Sequence, residues 1–392
     1  MFNPILNSLQ ISNEVNRARY GLIYKIHAAG RTILITSSPK AIFNMLNSKN
    51  KDFEFPDFLN IHHIMGFDES RMSIIWPATL KVFDISHKFL TPHRVGPLVQ
   101  SYNTMVFQHF TRLTADDSAT LCLEEFVFRT NHFAVYGMLM GEHFTREART
   151  YNNWKAFDSG VHDIIRRLPF FSRAPTKGRE GLLETVSDHI RQYWIGSGKE
   201  GHLDGASELM SALTRSVKES AATEEETSRI INYALWGASS GIARLTNWVM
   251  RYILVHPDLH QAIQLEVQQV VDTKYAHFNE MLGIEARSLG TDFPLLTSTV
   301  DEVIRLVSQS VILRQATVDT HIVADNGVDI PLSKGDYIMA DTQGYHLSDE
   351  HFEDAQTFKP NRYLQETNNR AKHTPKPSLA FSTGPRVVSL VL

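Results

Sequence analysis

The sequence predicts a mostly helical protein with one small β-sheet near its N-terminal side. Three observations predict it. Thr223 to Val255 is the longest helical run in the chain. Tyr20 to Ser37 contains two short β-branched runs about a turn. An apolar helical run from Leu295 to Val307 carries a Glu-x-x-Arg pair and leads into further strands.

Length and composition set the frame. The chain has 392 residues, of which 42% are hydrophobic, so a sizeable core can form and disorder is not expected. We read residues 1–392 as a single domain. Lys and Arg number 39 against 43 Asp and Glu, giving a net charge of -4. No basic block stands out, which argues against a nucleic-acid partner. The one cysteine, Cys122, allows neither an internal disulfide nor a cysteine metal cluster, and we expect it as a small buried residue. No window approaches a transmembrane span, and Met1 to Arg19 reads as neither signal peptide nor anchor.

Leu22–Ile26 and Thr32–Thr36 are the first two strands, turning at Ala29-Gly30-Arg31. Ser38-Pro39 opens a helix, with a capping hydroxyl before a proline at the first helical position. His62-His63 is expected in a loop. Thr79 to Arg112 is helical, broken near Pro92. Leu121 to Met140 is a helix closed by Gly141. Glu147–Arg167 and Thr176–Ile195 are two more, separated by a loop holding Pro169 and Pro175. The interior of Thr223–Val255 is soft, Gly237-Ala238-Ser239-Ser240-Gly241. Glycines there cost about 1 kcal/mol each against alanine, so the segment is expected to let something approach the backbone closely, to permit a local distortion, or to pack tightly against another helix, and to face a cavity in the first case. Val311–Val323 and Tyr337–Ala340 read as strands about a turn at Pro331–Asp336.

On the Leu295–Val307 helix, Glu302 and Arg305 are three apart and share a face. Inside an apolar helix this suggests a buried ionic lock, because lone buried charges are costly. Downstream follow Lys334-Gly335-Asp336, His346, Asp349, Phe352, Phe358-Lys359-Pro360-Asn361-Arg362-Tyr363 and Phe381-Ser382-Thr383-Gly384-Pro385-Arg386. That order and spacing resembles the cytochrome P-450 superfamily. The resemblance runs from about Tyr20 to Arg386 and implies the cytochrome P-450 fold. It implies a structural lock of Glu302, Arg305 and Arg362. His346, Asp349, Glu350 and His351 are then read as part of a superfamily loop rather than as metal ligands.

The resemblance also implies heme, held as heme b. Phe83–Pro92 resembles the family's third helix, which places a propionate partner on His87. Arg314 and Arg386 are the other implied propionate contacts. In the long helix the family's acid–threonine position falls on Ser240 and Gly241, where neither side chain matches; Ser239, Ser240 and Gly241 are expected to line the distal pocket. Leu235-Trp236 and Trp248 resemble the prostacyclin synthase and sterol 7α-hydroxylase branch, whose members also lack the standard pair. In the ligand loop Phe381, Gly384 and Arg386 match, but the axial cysteine position is Val388. Valine cannot ligate iron.

The function implied is insertion of one oxygen atom from O2 into a C–H bond of a lipid-like or secondary-metabolite substrate. An NADPH-dependent cytochrome P-450 reductase would feed it, in a fungal pathway and with the protein as a monomer. Relative to the family, the chain is expected to be incomplete at both ends, lacking the N-terminal anchor and the segment after the haem loop. Full-length members sit at the endoplasmic reticulum membrane; the chain as written would be soluble or peripheral. It would also be inactive, either as a degenerate protein or because a retained intron starting at Val388-Ser389 replaces the cysteine. Three alternatives stay open: a non-catalytic relic binding a lipid-like ligand, an unfoldable fragment, and a peroxide isomerase that needs no reductase.

Overall fold

A computed structural model describes residues 19–364, less 29–30, 48–51, 55–60, 92, 114–119, 121, 146–147, 169, 196–204, 276, 278–279, 281–282, 284–287, 309–310 and 326, together with Leu379. The chain divides into two compact units, one formed by Met1–Leu59 with Pro294–Leu390 and the other by Asn60–Phe293 with Val391–Leu392.

The first unit opens with β1 (Ile23–Ala28) and β2 (Arg31–Thr36), paired antiparallel. Helix α1 (Pro39–Asn47) follows. Its start is capped as the sequence predicts, with the Ala41 amide donating to Ser38 Oγ at 3.2 Å. A two-residue strand, β3 (Phe53–Glu54), ends this part.

The second unit is helical throughout its described length. It begins with α2 (Ile61–Met65) and α3 (Met72–Phe89). The His62-His63 pair therefore lies on a helix rather than in a loop; one turn of helix gives too little periodicity to be seen. Next come α4 (Gly96–Leu113) and α5 (Leu123–Met140), the latter ended by Gly141 at φ 99. From Thr130 to Met140 every residue of α5 is buried, as expected of a helix surrounded by others. Cys122 is exposed at the N-cap of α5, not buried, because the helix meets solvent there with Glu124 and Glu125 in its first turn.

Helices α6 (Ala148–Ile165) and α7 (Arg173–Ile195) pack along one another. Pro175 belongs to the first turn of α7, where its missing N–H costs nothing, so it does not separate the two helices. Then follow α8 (Glu208–Lys218) and the 32-residue α9 (Glu224–Val255). A reciprocal cap starts α9: the Glu226 amide donates to Thr223 Oγ1 at 3.2 Å and the Thr223 amide to Glu226 Oε2 at 2.8 Å. Helices α10 (Pro257–Lys274) and α11 (Leu289–Asp292) close the unit. Its core is one cluster that includes Tyr136, Tyr151, Trp154, Phe157, Ile230 and Leu235.

The chain returns to the first unit with α12 (Pro294–Val307), then β4 (Val311–Ala316), β5 (Thr320–Val323), β6 (Asp329–Leu332), β7 (Tyr337–Asp341) and α13 (Thr342–His346). The five-stranded sheet runs β1-β2-β7-β4-β3, with β2 parallel to β7, and β5 pairs with β6 separately. Pro331 and Leu332 lie in β6, not in the turn, which is confined to Ser333–Asp336. Proline is tolerated on a two-stranded ladder because one side of each strand needs no partner. Leu34, Ile42, Ile338, Ala340, Tyr345 and Phe352 pack in this unit's core.

Candidate functional site

Helix α12 turns one face inward, burying Ser298, Thr299, Glu302, Val303, Ile304 and Arg305. Glu302 and Arg305 are both fully buried and form a two-pronged pair, with Nε to Oε2 and Nη2 to Oε1 each at 2.8 Å. Arg362 Nε donates to the same Oε2 at 2.8 Å, and the Lys359 amide donates to Oε1 at 3.0 Å. The remaining guanidinium donors are also met. Arg305 Nη1 donates to the carbonyls of His346 and Ala355, both at 2.6 Å. Arg362 donates to those of Glu353, Asp354 and Thr357. The structure thus brings together the three residues of the expected lock. One carboxylate anchors two arginines, which bind the segment after α13 to α12.

Beside the lock, His346 is fully buried and accepts from the Leu379 amide at Nε2, 2.9 Å away. Burial, with Arg305 nearby, pushes its pKa down to about 3. The imidazole is neutral at physiological pH, so it adds no further positive charge beside Arg305 and Arg362.

The soft segment of α9 divides between its two sides. Gly237 and Gly241 are exposed, and a Cβ at either would meet no atom within 4 Å. Ser239 and Ser240 are buried and turn toward α6. Trp154 Nε1 donates to Ser239 Oγ at 2.9 Å, and Asn131 Nδ2 donates to the Ser239 carbonyl at 2.8 Å. Ser240 Oγ donates to Asp158 Oδ1 at 2.5 Å. Asp158 also accepts from Trp236 Nε1 at 2.8 Å and from Arg244 Nη2 at 2.5 Å. Its carboxylate is only 4% exposed, so these three donors replace the water it has lost.

Asn131, Trp154, Asp158 and Arg244 are the residues of this group that the sequence analysis missed, and Asp158 is the one that joins them by charge. It stands four residues after Trp154 on α6, so the two share a face, and Trp154 is fully buried. An acid at that spacing from an indole was the available signal.

Of the expected cofactor contacts, His87 is exposed near the end of α3. Arg314 is half-buried on β4 and donates to the Leu313 carbonyl at 2.8 Å. Arg386, the Phe381 loop and Val388 lie outside the described residues.

The family model that matches this chain is Cytochrome P450, over residues 7–387. The chain belongs to the cytochrome P450 family, whose members are haem-dependent monooxygenases. It is 23% identical to mouse 24-hydroxycholesterol 7-alpha-hydroxylase over 362 residues, covering 90% of this chain and 72% of that protein. It is 22% identical to human steroid 21-hydroxylase over 396 residues, covering 94% and 76%. Among solved structures, a zebrafish cytochrome P450 with progesterone superposes with a TM-score of 0.73 at 15% identity, covering 99% of this chain and 87% of that one. Cyanobacterial CYP120A1 with retinoic acid bound superposes at 0.71 and 14%, covering 97% and 84%. The family uses redox partners such as a reductase and takes hydrophobic substrates. Among the described residues no helix is long and apolar enough to cross a membrane.

The donor set of this chain does not fit a thiolate-ligated haem. By the motif order read from the sequence the family's axial position falls on Val388, whose side chain has no lone pair. The only cysteine is exposed at the start of α5. Thiolate is the ligand that drives O–O cleavage in this chemistry.

Proposed function

We propose that the chain carries the scaffold of a monooxygenase that inserts one oxygen atom from O2 into a lipid-like or secondary-metabolite substrate. We also propose that the 392 residues as written do not catalyse that reaction. The supporting observation is the Glu302–Arg305–Arg362 lock, with every guanidinium of the pair matched to an acceptor. Building it takes an acid and two arginines from separated segments, which an unrelated helical protein has no reason to assemble. The named relatives act on a hydroxylated cholesterol and on steroids, which supports a flat, hydrophobic substrate here.

On this reading residues 1–392 form one domain, and His87, Arg314 and Arg386 would contact the propionates of a haem. Gly241 would face the substrate. A fungal pathway, an NADPH-dependent reductase, a monomeric state and an endoplasmic reticulum location for the full-length protein belong to the same proposal. The experiment is the absorption spectrum of the reduced, carbon monoxide-bound protein. The 392-residue chain is expected to lack the red-shifted Soret band of thiolate ligation. Val388→Cys with a family-like C-terminal extension is expected to show it. A red-shifted band from the chain itself would overturn the inactivity, and no band from the extended protein would overturn the enzyme reading.

A further inference from the structure

Helix α2 has five residues, and a helix of that length does not hold itself together. Its last four carbonyls show what does. That of His62 is met by the local chain, through the Phe67 amide at 2.9 Å. The other three are met from elsewhere. Arg179 Nη1 of α7 donates to the carbonyls of His63 and Ile64, at 3.2 and 3.1 Å, and Arg229 Nη1 of α9 donates to that of Met65 at 2.7 Å. Glu180 bridges the two guanidiniums, 2.6 Å from Arg179 Nη2 and 3.1 Å from Arg229 Nη2. Gly66 lets them come so close. It stands at φ 72, and a Cβ there would lie 2.7 Å from Arg179 Nη2 and 2.9 Å from Arg229 Nη1. Met65 and Phe67 on either side of it enter the core of the unit.

The histidine pair of the sequence sits in this clamp. The rings of His62 and His63 are 3.8 Å apart by centroid. His62 is buried, whereas His63 is partly exposed and its Nε2 accepts from Arg167 Nη2. A guanidinium only donates, so this contact needs a bare ring nitrogen and exists only in the neutral imidazole. A proton on His63 would turn that acceptor into a donor facing Arg167. It would also add a cation to a site that already holds Arg167, Arg179 and Arg229. The acids around it are largely committed. Arg179 and Arg229 share Glu180, Arg229 also takes Glu225 at 2.9 Å, and Arg71 takes Glu226 at 2.8 Å. The end of α6 carries His162 and Asp163, paired at 3.4 Å, with Arg166 just past it. On the turn after α2, Asp68 accepts from the Ser70 amide, and Glu69 attracts a proton to His63. Desolvation, His62 and Arg167 together outweigh Glu69 and hold the His63 pKa below its ordinary 6.5.

We propose that α2 is an acid-released strap: a proton on His63 breaks the Arg167 contact and loosens α2 from Arg179 and Arg229. The closed strap takes up that proton less readily than the open one. Closure is therefore complete above pH 6.5 and weakens as pH falls below it.

The test is hydrogen exchange of the full chain at pH 7.5 and 5.5, with rates corrected for the intrinsic effect of pH. Peptides covering residues 62–67 are expected to lose protection several-fold at the lower pH. His63→Gln keeps an oxygen for Arg167 and takes up no proton, so it should hold its protection there at both values. His63→Lys carries a fixed charge and should lose it at both. Peptides of α5 over residues 131–140 should behave alike in all three proteins at each pH, which separates the strap from unfolding of the whole unit. Circular dichroism checks the fold, and if the lysine variant fails it the glutamine variant still decides. No loss of protection in the parent, an equal loss in His63→Gln, or a folded His63→Lys as protected as the parent at pH 7.5 would each overturn the strap. The measurements need neither haem nor substrate, so they stand or fall apart from the carbon monoxide spectrum.

Discussion

In the first unit, Glu302 and Arg305 are fully buried charges whose hydrogen-bonding atoms meet partners on all sides. In the second, fully buried His132, Tyr136 and Asn232 keep polar atoms with no protein partner: Nδ1, the hydroxyl, and both ends of the amide. His132 sits instead among rings, 4.2 Å from Tyr136 and 5.3 Å from Trp154 by centroid. The comparison teaches what buried polarity does at these two sites rather than in the units as wholes, since Thr299 Oγ1 and His346 Nδ1 of the first unit also lack a protein partner and Asp158 of the second has three. The lock fixes one arrangement of separated segments, because any other leaves a bare charge. The polar atoms around α5 fix little, because the aromatic packing about them holds without their hydrogen bonds.

The largest expected effect tests that contrast directly. Glu302→Ala strands Arg305 and Arg362 and should cost about 3–5 kcal/mol of stability by urea unfolding. Asn232→Leu removes two unpartnered polar atoms at similar volume and should stay within about 1 kcal/mol of the parent. Equal losses from both would erase the distinction.

Acid should act on both units through buried histidines. His346 and His132 each have a folded pKa near 3, lowered chiefly by burial, against an ordinary value of 6.5. Between those values the unfolded chain binds more protons than the folded one, so stability falls as pH drops from 6.5 toward 3. The slope is about 1.4 kcal/mol per pH unit for each histidine, so roughly 2 kcal/mol each is lost by pH 5. Unfolding curves at pH 7 and 5 check it. His132→Phe, which has no ring nitrogen to protonate, should remove one histidine's share of the slope. His346→Gln should remove the other, with an added cost only if glutamine fails to accept from Leu379.

A smaller loss is expected where a buried acid has a solvated partner. Asp158 is buried, but the Arg244 side chain is 48% exposed and can turn to water. Asp158→Asn should cost about 1–3 kcal/mol and shift Trp236 fluorescence, since the indole donates to that carboxylate. A loss as large as that of Glu302→Ala would place Asp158 in the same class as the lock.

Much of this was legible in the sequence for local reasons. Glu302 and Arg305 lie three apart in one helix, so their spacing alone puts them together. Arg362 was legible only through the order of motifs around it, because no periodicity links residues sixty apart. The long helix was legible from Thr223 onward by its helical run, and the Thr223–Glu226 cap that starts it was found in the structure. Asp158 was not legible as a partner of Ser240, since pairing between two helices depends on packing that neither helix encodes alone. Pro175 and Pro331 were misplaced for a shared reason. Proline reads as a breaker in sequence, yet both occupy positions where its missing donor has no role.

The smallest effect concerns the exposed side of the soft segment. Gly241 is helical, and a methyl there meets open space. Gly178 differs: a Cβ would stand 2.5 Å from the Asn153 carbonyl oxygen and 2.9 Å from the Phe157 amide, backbone atoms that cannot swing aside. Glycine inside a helix is worse than alanine by about 0.5–1 kcal/mol, so Gly241→Ala should stabilise the protein by that amount while Gly178→Ala should destabilise it. Thermal unfolding separates the two signs. Gly241→Leu adds bulk on this exposed side and should keep the fold while weakening binding of a steroid-like ligand, measured by calorimetry. If Gly241→Ala destabilises, something occupies the space beside it in solution, and the comparison between the open position on α9 and the packed one on α7 would have to be redrawn.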